Sequence, residues 1–212
     1  DLHSFPTRRS SDLEILDMSL LSDTILSYGL LDGCQSLSSV ILPRNIVKID
    51  ERSLANCTNL VSMKIPVTVK TICAEAFMNC SNLKVMEMQS MYAPDLNGTA
   101  FNGTSAGSLC IIVPTGSAGY NTAEYWNSLA SNIYDKGSLP IISLNESVAN
   151  LYNINQTGIN ELQLNAFAVT ADGFVSSDIV WFTSNPSVAT VDNNGHLSYV
   201  GPGNAVITAA IS

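Results

Sequence analysis

The sequence predicts a mostly-β chain: a short solenoid of parallel strands joined by short helical turns, followed by an antiparallel β-sandwich. Two observations carry the first half. The stretch Cys57-Thr58-Asn59-Leu60-Val61-Ser62-Met63-Lys64-Ile65-Pro66 has an earlier copy from Cys34 to Pro43 and a later one from Cys80 to Gln89, each one step of 23 residues away. Leu37/Leu60/Leu83, Val40/Met63/Met86 and Leu42/Ile65/Met88 keep the same step. A period in the twenties belongs to units too small to bury an apolar face alone, which must stack on their neighbours. The second half rests on a third observation. After residue 139 the period stops, and about seven short apolar runs succeed it, separated by turn signals such as Ala171-Asp172-Gly173, Asn193-Asn194-Gly195 and Gly201-Pro202-Gly203. Asn-Gly favours the tight turn of a two-strand hairpin, and short strands at such spacing indicate a sandwich.

In chain order, residues 1–13 share no pattern with the rest of the chain and resemble the translated read-through of a sequencing adapter, an artefact of assembled metagenomic genes. They lack the apolar core of a signal peptide. The solenoid runs over residues 14–134. Leu13-x-x-Leu16-x-Met18 is a first, damaged repeat, and strands are expected near 15–19, 38–43, 61–66, 84–89 and 109–114, with alternate residues turned into the core. Pro43 and Pro66 end their strands because proline cannot donate to a ladder. Ile46/Ile49 and Val69/Ile72 supply a second apolar edge, and Leu54, Phe77 and Phe101 lead a helical or 3₁₀ turn that closes each coil. Tyr120, Tyr125, Trp126 and Leu129 then form an end cap, since a solenoid must close its open end. Each buried ring there removes about 150–250 Å² from water, worth up to roughly 4–6 kcal/mol. Asp135–Leu139 reads as a short linker.

The Cys-x-Asn/Ser-Leu starts, the Ile/Leu-Pro strand ends and the closing Val113-Pro114-x-Gly116-Ser117…Tyr120…Trp126 resemble the BspA-like leucine-rich repeats of bacterial surface proteins. The usual asparagine-ladder position carries Asn45 in one repeat but Thr68 in the next, a departure that bears on curvature. In residues 140–212, strands are expected at Ile141–Leu144, Val148–Tyr152, Glu161–Val169, Asp178–Thr183, Val188–Val191, His196–Val200 and Ala205–Ile211. Trp181-Phe182-Thr183-Ser184-Asn185-Pro186-Ser187-Val188-Ala189-Thr190-Val191, with Gly195 and Gly203-Asn204-Ala205-Val206-Ile207-Thr208-Ala209, resembles the group-two bacterial immunoglobulin-like domain. The resemblance implies a sandwich with Trp181 as its core tryptophan, truncated near Ser212.

Composition narrows the function. A hydrophobic content of 46% with 13% charged residues describes a folded chain, and a net charge of −9 argues against a nucleic-acid surface, which needs clustered Lys and Arg. No apolar run reaches the roughly 20 residues that span a bilayer, so no direct membrane insertion is expected. Five cysteines, three at the repeat position, read as small buried hydrophobes rather than a disulfide framework. No phosphate loop, paired-Cys zinc spacing or calcium loop occurs. His196 sits on an expected hairpin strand, where a solvated role is its ordinary one. Asn-x-Ser/Thr sequons at Asn56, Asn79, Asn97, Asn102, Asn145 and Asn155 are by-products of the repeat and of turn chemistry. No catalytic residue, metal or cofactor is therefore expected.

A binding surface is the remaining expectation, on the outward face of the solenoid sheet. Two ladders lie there: Ile15, Ser39, Ser62, Val85 and Cys110 in one, and Asp17, Ile41, Lys64, Glu87 and Ile112 in the other. Small, aliphatic and singly charged groups in such an array suit a protein or peptide partner better than a phosphate or a metal; the partner expected for the whole chain is a host or bacterial surface protein or glycan. The resemblance adds adhesion or recognition at the bacterial surface or outside the cell. The alternative is an accessory arm or spacer of a larger exported polysaccharide-degrading enzyme. The inward positions carry the first prediction. Leu60→Ala and Trp181→Ala should each open a core cavity, costing about 2–5 and 3–5 kcal/mol in denaturant titrations; unchanged midpoints would overturn the inward/outward assignment.

Overall fold

A computed structural model describes residues 12–104, 109–139, 141–144, 151, 161–169, 175–176 and 178–211. The chain is mostly β and divides into two compact units, Asp1–Ser138 and Leu139–Ser212. The leader reading for residues 1–13 falls almost wholly outside the described residues.

Unit one is a parallel-strand solenoid of about five turns. Its first side carries β1 (Ile15–Asp17), β3 (Ser39–Ile41), β5 (Ser62–Ile65), β7 (Val85–Met88), β9 (Cys110–Val113) and β10 (Ile133–Asp135). β1 pairs with β3, and β5, β7, β9 and β10 pair in succession, all parallel. Leu16, Val40, Met63, Met86 and Ile111 fall in line and are buried, as alternation requires. β3 stops two residues before Pro43, and β5 stops at the residue before Pro66. The second side is a four-stranded sheet of two-residue strands, β2 (Ile25–Leu26), β4 (Lys48–Ile49), β6 (Thr71–Ile72) and β8 (Asp95–Leu96), whose second residues are buried. Ile46 and Val69 are buried beside them, so the second apolar edge is a sheet in its own right.

The third side differs from expectation. Leu54 and Phe77 are fully buried, and Phe101 stacks on Phe77 with ring centroids 5.5 Å apart, but the segments are successions of turns rather than helices. Alternate amides serve different partners. Those of Arg52, Leu54 and Asn56 donate to the carbonyls of Ala74, Ala76 and Met78 on the next coil, at 3.3, 3.0 and 2.7 Å. Those of Ser53 and Ala55 turn back to Asp50 and Arg52. A helical turn would keep its amides for itself, whereas stacked coils must share them.

This alternation needs left-handed backbone twice per coil. Arg52 and Glu75 hold φ of 55° and 54°, and Asn56 and Asn79 hold 59° and 58°, with Gly33 and Gly103 one step outside the asparagines. Asparagine tolerates this region better than most residues and can bond with its side chain there. Asn56 Nδ2 donates to Asp32 Oδ1 at 2.7 Å, and Asn79 Nδ2 to Asn56 Oδ1 at 2.9 Å. This column is the solenoid's asparagine ladder. At Thr68, the hydroxyl donates instead to Arg44 O at 3.0 Å. The repeat cysteines are more than fillers: Cys57 donates its thiol to Leu31 O at 3.3 Å and Cys80 to Leu54 O at 3.1 Å. In the next coil Thr104 gives its hydroxyl to Phe77 O at 2.8 Å. No disulfide joins any of the five cysteines, and burial pushes the Cys80 thiol up to about 12 and raises Cys57 further.

The end cap forms around Tyr120 and Trp126, both buried and in edge contact at 5.1 Å. Trp126 Nε1 donates to Pro94 O at 2.7 Å, and the Tyr120 hydroxyl to Ser90 O at 2.9 Å, so each ring's polar atom is satisfied. Leu129 packs against the same core, whereas Tyr125 is exposed. The linker expected at Asp135–Leu139 is partly solenoid: Asp135 closes β10 and Lys136–Ser138 is a 3₁₀ turn.

Unit two holds antiparallel strands: β11 (Ile141–Leu144), β12 (Glu161–Gln163), β13 (Ala166–Val169), β14 (Val175–Ser176), β15 (Ile179–Thr183), β16 (Ala189–Val191), β17 (His196–Tyr199) and β18 (Ile207–Ile211). They pair as β11-β13-β14, β12-β17-β16 and β15-β18. The single strand expected over Glu161–Val169 is split at Leu164 and Asn165, its halves joining different sheets, with Leu164 buried between them. Asn193-Asn194-Gly195 makes the β16–β17 hairpin with Gly195 at φ 80°. The strand expected at Val148–Tyr152 and the turn at Ala171–Gly173 lie outside the described residues, apart from Leu151. Trp181 is half-buried, packed against a small core of Leu164, Ala189 and Leu197. Its truncation therefore opens a smaller void than a central tryptophan would leave. Among the described residues no helix is long and apolar enough to cross a membrane.

The asparagine column gives the second prediction. Asn56→Gly keeps the left-handed backbone and loses only the side-chain bonds; Asn56→Ala loses both and adds roughly 1–2 kcal/mol of backbone strain. Denaturant titrations should rank wild type above Asn56→Gly above Asn56→Ala, and equal losses in the two variants would remove the backbone argument.

Candidate functional site

On the first side, the β1–β3 pair and the β5-β7-β9-β10 sheet each keep the register that the ladders demand. Ile15 faces Ser39 and Asp17 faces Ile41 across β1 and β3; Ser62, Val85 and Cys110, and Lys64, Glu87 and Ile112, align across β5, β7 and β9. Tyr134 of β10 continues the second row beside Ile112. Of the eight residues expected to form a binding face, Ser39 and Ile41 lie on the β1–β3 pair and the other six align on β5, β7 and β9, and their exposure differs. Ile41 and Lys64 are open at 49% and 61% (side chain), Ser62 is exposed and Ser39 half-buried, with Ile15 beside them at 67%. Val85, Glu87, Cys110 and Ile112 are buried. The accessible face therefore belongs to the first three coils.

Charge is arranged differently at the two ends. Asp17 is exposed, with Oδ1 accepting the Ser19 amide at 2.8 Å. Hydrogen bonds from the Ser19 backbone and side chain, with a weaker pull from Arg44, hold its carboxyl below the ordinary aspartate range. It forms no ion pair among the described residues. Glu87 is the opposite case. Lys136 Nζ reaches its Oε1 at 2.8 Å and Lys64 Nζ its Oε2 at 3.1 Å. Lys136 follows β10 and Glu87 lies on β7, so the lysine spans β9 to get there. Burial pushes the Glu87 carboxyl up, but the two lysines outweigh it and leave the group below the usual glutamate value.

Other polar clusters are structural in geometry. Arg52 joins Asp32 Oδ2 and Glu75 Oε2, both at 3.0 Å, bridging three coils on the turn side and holding its own left-handed backbone in place. His196 Nε2 lies 3.4 Å from Glu161 Oε2, between a half-buried and an exposed strand residue of unit two. The Asn56 and Asn79 amides are committed to the ladder, and Asn97 accepts from the Thr99 amide and hydroxyl in a local turn. Asn145 and Asn155 lie outside the described residues. Among the described residues no three His, Cys, Asp or Glu side chains are placed to hold a metal ion.

This repeat geometry has a counterpart among known families. The model for the BspA type leucine rich repeat region fits residues 22–128 in six copies. The chain belongs to the BspA-type leucine-rich repeat family. No curated protein matches it. Within that repeat frame, the residues that the sequence did not point to are Lys136, 49 positions from its partner Glu87, and the Asp32–Asn56–Asn79 column. The column did leave a signal: Asn56-Cys57 and Asn79-Cys80 recur at the repeat step, a pairing that also reads as a sequon.

The Glu87 clamp yields a pH prediction. Its folded-state carboxyl titrates below the free value of 4.5, so its stabilisation is complete above that pH and is lost as pH falls through the lower, folded value. Lys136→Met should cost about 1.5–3 kcal/mol at pH 7, the range for a hydrogen bond to a charged group. In urea titrations the gap between variant and wild type should be constant above pH 4.5 and narrow progressively as pH falls below it; a gap that does not change with pH would show that the lysine acts through packing alone.

Proposed function

We propose that the chain is a non-catalytic recognition protein of the bacterial surface or of the secreted space, binding a protein or glycan on a host or bacterial surface through the outer sheet face of its first three coils. The observation that carries this reading is that face: a rigid, regularly spaced array with Ile15 and Ile41 exposed between Asp17, Ser39, Ser62 and Lys64. Repeat solenoids present such arrays as extended binding surfaces. Proteins with BspA-type repeats are commonly surface or secreted proteins tied to adhesion. Unit two, read as an immunoglobulin-like module, serves as a spacer; it contains no Lys or Arg, which suits a segment that avoids casual contacts. Residues 1–13 take no part in the reading.

The test is binding of the full chain to immobilised extracellular-matrix proteins and to whole bacterial cells. Ile41→Asp places a charge in the apolar pair without touching the core. It should weaken binding at least tenfold while leaving the melting temperature within a degree or two. Binding that is indifferent to Ile41→Asp, or that resides wholly in Leu139–Ser212, would sink the proposal.

A further inference from the structure

Resting on that reading of the face, we infer that its partner is a protein segment in extended conformation that places a lysine or arginine on Asp17 and apolar side chains on Ile15 and Ile41. Asp17 and Ile41 are direct neighbours across β1 and β3, so their backbones lie about 4.8 Å apart. Ile15 lies two residues back along β1 on the same face, roughly 7 Å away. The three make a compact acid-and-aliphatic triangle, with Ile15 67% and Ile41 49% exposed and Asp17 in solvent. The Ser19 amide fixes the carboxylate in place, which lowers the ordering cost a partner must meet.

The chain itself supplies a template for the occupant. In the same row, two coils beyond Ile41, the carboxylate of Glu87 receives Lys136, a cation arriving from another strand across β9. Asp17 with Ile41 repeats the elements of Glu87 with Ile112, an acid beside an aliphatic residue on the adjacent strand. The one element lacking at Asp17 among the described residues is a cation in contact with it. Lys64 does not supply it, being joined to Glu87, and Arg44 acts on Asp17 only as the weakest of the influences on its carboxyl. Charge favours the same occupant at long range. The chain has 18 acidic against 9 basic residues, so its field draws cationic partners and repels anionic ones. A neutral glycan would gain nothing from this arrangement, and an anionic one would be opposed by it.

Fluorescence anisotropy with the full chain tests this, using a labelled nonapeptide with valine at positions 1, 5 and 9, lysine at 3 and 7 and threonine between them, so that valine and lysine share one face, and counterparts with glutamine or glutamate in place of lysine. The lysine peptide should bind at least tenfold more tightly than the glutamine peptide, weaken as salt rises, and lose about five- to tenfold on Asp17→Asn. The glutamate peptide should not bind. In Asp17→Asn the side-chain carbonyl can still accept the Ser19 amide, so that variant changes charge without disturbing the turn. Equal binding of the lysine and glutamine peptides overturns the inference. So does lysine-peptide binding that neither Asp17→Asn nor Ile41→Asp alters, since that is attraction to net charge alone. If Ile41→Asp abolishes binding to matrix or cells while Asp17→Asn leaves it intact, the recognition face stands and the cationic partner falls. Loss of effect in both variants removes both.

Discussion

Each coil of this solenoid must pass its backbone hydrogen bonds to the next coil at the same three places, and nearly everything else about unit one derives from that requirement. On two sides the solution is ordinary parallel pairing. On the third the chain must turn sharply while still presenting alternate amides to its neighbour, which neither a helix nor a strand can do. Left-handed residues before and within the turn resolve the conflict. The asparagines chosen for two of those positions use their side chains to pair coil with coil. Cys57, Cys80 and Thr104 then add side-chain bonds from the next coil to the carbonyls of Leu31, Leu54 and Phe77, of which Leu31 and Phe77 also accept the amides of Cys34 and Cys80. A carbonyl oxygen carries two lone pairs, so a thiol or hydroxyl can use the second one and tie one coil to the next where a methyl group would only fill space.

The repeat made much of this legible in advance. A 23-residue step determines which side chains stack, so the strand positions, the alignment of both ladders and the buried Leu37, Leu60 and Leu83 could be read from spacing alone. The turn conformation could not, because burial periodicity reports where side chains go and says nothing of how amides are divided between two coils. Asn56-Cys57 and Asn79-Cys80 carried the information, but their local reading as sequons competes with it. Lys136 was illegible for a different reason: an ion pair across 49 residues has no local signature, and its neighbours Gly137 and Ser138 are turn formers. In unit two, the strands after Ile179 were set by alternation and by Asn194-Gly195. The depth of Trp181 was not, since alternation assigns a face of a strand and leaves open how thick the layer above it is.

The outer face shows how one ladder can serve two ends. Toward the cap, the second row is tied down: Glu87 is buried, ion-paired with Lys64 and Lys136, and hydrogen-bonded by Lys136, which follows β10. Such a clamp contributes modestly to stability, because desolvating the carboxylate cancels much of the attraction. Its larger effect is to hold the strand after the cap in register, since Lys136 meets Glu87 only when β10 lies where it does. Toward the other end the row opens, and Asp17, Ile41 and Ile15 stand in solvent.

Exposed aliphatic residues scattered singly are common on protein surfaces and need no partner to explain them. Ile15 and Ile41 differ in being held at fixed spacing on a hydrogen-bonded sheet, with a carboxylate between them whose orientation is set by a backbone amide. Branched side chains on strands have few rotamers to lose, and the sheet beneath has no freedom to surrender. A partner would therefore meet a surface already in its bound arrangement, and affinity there would depend on charge and shape more than on area. The same rigidity makes the face selective: a lysine displaced by one residue along an extended partner would point away from Asp17, because successive side chains alternate.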